Sequence, residues 1–136
     1  RLTKRHRQLL DDMAETMYTK DGVGLAAPQV NVSKRIIVLD DGNGLIEVIN
    51  PEIVKKEGSQ VGLEGCLSVP ELFGDVERYD KIEVHGINRN NKKIKIKAEG
   101  FLARIFQHEI EHLNGILFVE KLVNPNEIFI HKKEQQ

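Results

Sequence analysis

Leu9, Leu10, Met13, Ala14 and Met17 recur at the three- and four-residue spacing of one helix face, with charged residues between them. Gly22 stands where a helix C-terminus favours glycine, so the pattern predicts a first helix over roughly residues 3–20. After "DGVGLAAPQ" the period shortens. "RIIVLD" is a β-branched run closed by the turn-rich "DDGNG", and "LIEVIN" is a second strand that Pro51 is expected to stop. "EIVKKEG", "DVERY" and "KIEVHGINR" read as further strands, and "NRNNKK" as a hairpin turn into "KIKIKA", where Ile94 and Ile96 alternate with lysines. The middle of the chain therefore reads as a β meander. From Phe101 to Leu113 the helical period returns, with Phe101, Leu102, Ile105, Phe106 and Leu113 on one side and "NG" at 114–115 as the stop. The remainder gives one apolar segment and a polar tail. Helix, then strands, then helix argues an α+β fold, with antiparallel β-sheets packed around the second helix and a helix at the N-terminal end.

Composition narrows this picture. The 136 residues suit a single domain, 1–136, and 40% hydrophobic with 30% charged residues is the balance of a chain that folds. A net charge of -1 supplies no field toward nucleic acid or an anionic membrane, so no DNA partner is expected. No apolar run approaches the roughly 18 residues of a membrane span, and no signal peptide opens the chain. A soluble, cytoplasmic protein is expected, although an organellar form trimmed of its transit segment would read the same. The start at Arg1, without methionine, leads us to expect that a leading piece is missing. Cys66 is the one cysteine; it has no internal disulfide partner and is a buried thiol, a reactive thiol or a metal ligand.

The chemistry concentrates in "QHEIEH", residues 107–112. Residues four apart on a helix share a face, so His108 and His112 can reach one ion while Glu109 stands to the side, free to handle a proton. The competing reading is a solvated polar face, which Glu111 and Glu120 would fit. Phe106, Ile110 and Leu113 argue against it by crowding the histidines with apolar neighbours. Such a site needs a third ligand. Glu120 and His131 are candidates, and Cys66 in "EGCLSVP", read as a glycine-flanked turn between strands, is a better one.

"DGVGLAAPQ" matches the relaxed dinucleotide fingerprint GxGxxA, but a helix precedes it and a strand follows, the reverse of what that fingerprint needs. Its glycines instead mark backbone that a ligand approaches closely, with Gln29 offering an uncharged amide. Together, "GVGLAAPQ", "EGCLS" and "QHEIEH", in this order and separated by strands, closely resemble the peptide deformylase family from about Leu9 to Val123. The resemblance implies a hydrolase that removes the N-formyl group from the starting methionine of new polypeptides. It implies a divalent metal, usually iron(II), with zinc, nickel or cobalt as substitutes, on Cys66, His108 and His112. It also implies Glu109 as general base and acid, and Gln29 with the Leu67 N–H as the oxyanion hole. Val23 and Gly24 would hydrogen-bond the substrate main chain, and Glu64, Leu67 and Ile105 would lie near the methionine pocket. The nascent-chain substrate further implies transient contact with the ribosome.

The chain departs from the family at two positions: Glu111 stands where Asp is usual, and Tyr79 follows Arg78 where Pro is usual. Other classes of function are distinguishable. A metal-stabilised module binding nascent chains or the ribosome, with Lys93, Lys95 and Lys97 toward RNA, would leave formyl-Met peptides intact. The better reading of those lysines is a strand's protection of its solvent face or edge against aggregation. A zinc endopeptidase would cut internal bonds of unformylated peptides, and a Cys66 thiol hydrolase would resist chelators.

Overall fold

The computed structural model describes residues 2–66, 69–115 and 129–130, with the side chains of 65–66, 69–73 and 129–130 outside that description. The elements in chain order are helix α1 (Lys4–Thr19), strand β1 (Gly24–Ala26), a 3₁₀ turn (Ala27–Val30) and strands β2 (Ile36–Leu39), β3 (Ile46–Glu57), β4 (Gln60–Cys66), β5 (Val69–Arg78), β6 (Lys81–Ile87) and β7 (Lys93–Glu99). Helix α2 (Gly100–Leu113) and the short strand β8 (Phe129–Ile130) complete them. The α+β expectation holds.

α1 buries Leu10, Met13, Ala14 and Met17, the face its spacing predicts. It ends differently from expectation. Asp21, not Gly22, takes the left-handed backbone (φ 55°), and Gly22 N–H donates to Met17 O while Asp21 N–H donates to Tyr18 O. This paired closure satisfies two of the helix's last carbonyls.

Five strands form one antiparallel sheet in the order β1-β2-β3-β6-β7, and three form a second in the order β4-β5-β8. The middle is therefore not a simple meander: β6 pairs with β3 across the β4–β5 hairpin, which leaves to build the second sheet. Nor does Pro51 stop its strand. Ile49 pairs with Ile87 and Glu52 with His85, so Asn50 and Pro51 together face Gly86 in a bulge, with Asn50 at φ 54°. A bulge spares the ladder bond that proline cannot make, and "LIEVIN" and "EIVKKEG" become one strand.

Helices cover both faces of the five-stranded sheet. Alternation along β2 sends Ile36 and Val38 into a cluster with Leu10, Met13 and Met17 of α1, and Ile37 and Leu39 into a cluster with Ile105, Phe106 and Ile110 of α2. Burial on both faces explains why "IIVL" reads as an unbroken apolar run. Fully buried Phe106 anchors α2, and truncation to alanine there would cost about 3–5 kcal/mol. The α2 face differs from the predicted one. Phe101 is 53% exposed and Leu102 and Leu113 are half-buried, while α2 is buried from Ala103 to Ile110 because sheets approach it from more than one side. At the other end of the sheet, Lys93, Lys95 and Lys97 stand exposed on β7, an edge strand.

Candidate metal centre

α2 places His108 and His112 one turn apart in the interior, both 7% exposed, with ring centroids 4.8 Å apart and planes at 69°. Their Nε2 atoms face each other at 3.1 Å. Two nitrogens at that separation, each about 2.0–2.1 Å from a shared ion, subtend about 100° at it, close to a tetrahedral angle.

The tautomer is fixed from behind. His108 Nδ1 lies 2.8 Å from Glu64 Oε1. An ionised carboxylate only accepts, so Nδ1 carries the proton and Nε2 presents its lone pair forward. Glu64 is held ionised. Burial raises its pKa, but hydrogen bonds from His108 and Arg78 and the charge of Arg78 outweigh that and bring it from 4.5 down to about 2.

The carboxylate of Glu64 has all of its acceptor sites in use. Arg78 grips it with Nε on Oε2 at 3.0 Å and Nη2 on Oε1 at 2.8 Å. Arg104 Nη1 donates to Oε2, and His108 completes Oε1. Glu64 is 7% exposed and turned inward. A carboxylate so engaged orients the His108 ring.

Glu111, the family departure, sends Oε1 to Arg78 Nη1 at 2.6 Å, so Arg78 joins two carboxylates. Tyr79, the other departure, donates its N–H to Gln107 Oε1 at 2.9 Å and accepts from Gln107 Nε2 at 2.8 Å. Proline could not make the first of these bonds.

β1 passes directly in front of Glu109. A Cβ on Gly24 would stand 2.7 Å from Glu109 Oε2 and 2.9 Å from Ile105 Cγ2, so glycine alone lets this backbone lie against the carboxylate. Glu109 is 4% exposed and Ile105 3%. Val23 is exposed, its carbonyl accepting the Asp40 N–H at 2.9 Å. Gln29 anchors its Oε1 on the Ala26 N–H at 2.8 Å, which fixes the amide beside β1.

Of the expected site residues, the structure thus gathers His108, His112, Glu109, Gly24 and Ile105. Cys66 ends β4 in a strand rather than in the expected turn; its side chain, and all of Leu67, lie outside the described residues, as do Glu120 and His131. Among the described residues no three His, Cys, Asp or Glu side chains form a complete ligand set. Two nitrogen donors oriented by a buried carboxylate nevertheless fit a divalent transition metal. Sequence reasoning missed Arg78 and Arg104; a lone arginine within the apolar "FLARIF" was the available signal for the second.

No described helix is long and apolar enough to cross a membrane. The family model for polypeptide deformylase matches residues 1–127. The peptide deformylase of Halothermothrix orenii is 60% identical over 131 residues, covering 95% of this chain and 85% of that protein. The crystal structure of the Thermotoga maritima peptide deformylase superposes with a TM-score of 0.89 at 44% identity, covering 91% of this chain and 85% of that one. The peptide deformylase of Synechococcus elongatus, solved in complex with actinonin, gives 0.90 at 42% identity over 93% of this chain and 70% of its own.

Proposed function

The chain belongs to the peptide deformylase family, metalloenzymes that remove the N-formyl group from the N-terminal methionine of new polypeptides, and from that premise we propose how its own residues divide the reaction. His108, His112 and Cys66 are the ligands. Iron(II) is the ion assigned, by family resemblance, with zinc, nickel and cobalt suited to the same donors. A divalent ion held there would supply Lewis acidity, making water more acidic and polarising the formyl carbonyl.

Glu109 takes the proton of the attacking water and hands it to the departing amine, so one carboxylate serves both halves of the hydrolysis. Its low exposure keeps bulk water from competing for that proton. The Gln29 amide and the Leu67 N–H receive the charge that develops on the formyl oxygen, each worth about 2.7–4 kcal/mol by analogy with other such donors. Val23 and Gly24 align the peptide main chain, and Ile105 borders the methionine side chain. Contact with the ribosome is transient, and the cytoplasm is the place of action.

The observation that carries this division is the Nε2 pair at 3.1 Å with Glu109 beside it and Glu64 behind. The test is formate release from formyl-Met-Ala-Ser by protein purified without oxygen, with metal content measured on the same sample. About one ion per chain with formate release is expected, and Glu109→Ala should keep the ion while losing about 10²–10⁴-fold in rate. A filled site that leaves the peptide intact, or an unimpaired Glu109→Ala, would overturn the assignment.

A further inference from the structure

We propose that Arg104 is a positioning residue for the metal-binding imidazole of His108, acting through Glu64. Arg104 lies four residues before His108 on α2, so both side chains leave the same helix face and meet one carboxylate: Arg104 Nη1 on Oε2 and His108 Nδ1 on Oε1. Arg78 alone would hold Glu64 by its fork, but from a neighbouring strand of Glu64's own sheet. Arg104 fixes the carboxylate directly to α2, the helix that carries the histidines, whereas Arg78 reaches that helix through Glu111. With His108, Arg104 makes a closed frame of helix, carboxylate and imidazole, which sets the direction of Nε2.

The surroundings are built to hold the guanidinium in place. Arg104 is 5% exposed and donates also to Gly62 O at 3.3 Å on β4, Val76 O at 3.2 Å on β5 and, through Nε, to Gln60 Oε1 at 3.3 Å. Gly62 makes the space: a Cβ there would stand 3.0 Å from Arg104 Cζ and 3.0 Å from Nη2. Nη2 finds no hydrogen-bond partner among the described residues, an expense an apolar side chain of similar volume would avoid. Packing alone therefore does not account for an arginine at this position.

The inference rests on His108 being a ligand, and cobalt(II) substitution of the full chain separates the two claims. Arg104→Met is expected to weaken cobalt affinity 10- to 100-fold in chelator competition and to shift the ligand-field bands at saturating cobalt. Arg104→Lys should restore part of both. Gly62→Ala, which keeps the arginine but displaces its guanidinium, should move the spectrum in the same direction, and it carries the test if Arg104→Met does not fold. Wild-type spectra in the variants, whether or not affinity falls with the stability of the metal-free protein, would reduce Arg104 to a structural role and overturn the proposal. A wild-type chain that binds no cobalt would instead sink the assignment of His108.

Discussion

The backbone of Gly24 lies so close to Glu109 that a single added methyl would sit 2.7 Å from Oε2 and 2.8 Å from Cγ. Gly24→Ala must push Glu109 aside, because Ile105 Cγ2, at 2.9 Å, closes the other direction. A displacement on the order of 1 Å at a reacting group costs roughly 10²-fold. We expect kcat for formate release to drop by about that factor while metal content and circular dichroism stay those of the wild type. An unchanged kcat would show that Glu109 is not held at its working position by β1.

Glu111→Asp restores the usual family residue but withdraws the carboxylate from Arg78, now 2.6 Å away. Arg78 is 4% exposed, and it would lose one of its two carboxylate partners. Urea unfolding of the metal-free protein should show a loss of about 1–2 kcal/mol. Equal stability would mean that the longer side chain gives this chain nothing.

Tyr79→Pro and Tyr79→Ala both remove the ring that Lys56 approaches at 5.4 Å, but only proline also removes the N–H that Gln107 accepts. Proline should therefore be less stable than alanine by about 0.5–1.5 kcal/mol, read as a difference between thermal unfolding curves. If the two variants melt together, the Gln107 clamp on residue 79 carries no stability.

The acid limb of stability should carry the signature of Glu64. Its carboxyl titrates near 2 in the folded protein against 4.5 ordinarily, so below pH 4.5 the unfolded chain binds the proton more readily. The contribution is complete above about pH 4.5 and is lost as pH falls toward 2. Unfolding free energies of the metal-free protein across that window should slope downward with acid, and Glu64→Gln should flatten the slope. A variant with the wild-type slope would place the effect on other carboxylates.

Much of this was legible in the chain because it depends on local spacing. The α1 face, the β2 run and the four-residue interval of His108 and His112 follow from helix and strand periods alone. What escaped depends on register between distant segments. Glu64, Arg78 and Arg104 meet only because β4 and β5 pair with Gln60 opposite Arg78 and Glu64 opposite Gly74, and because α2 packs against that hairpin. Nothing in the spacing of three charged residues announces this. Pro51 misled for a related reason: it reads as a terminator until the bulge opposite Gly86 is known. Phe101 misled because the helical period gives a face and not the number of neighbours around it.

The hairpin of β4 and β5 leaves the main sheet between two strands that pair without it, so the five-stranded sheet and both helices need nothing from the hairpin to close their hydrogen-bond ladders. The two imidazoles belong to one body and Glu64, with Cys66 at the end of its strand, to the other, across a separation of 44 residues between Glu64 and His108. Non-local closures of that length come after local ones. In refolding, metal capture should then lag behind the recovery of helical signal, so that ligand binding times the arrival of the hairpin and not the collapse of the chain.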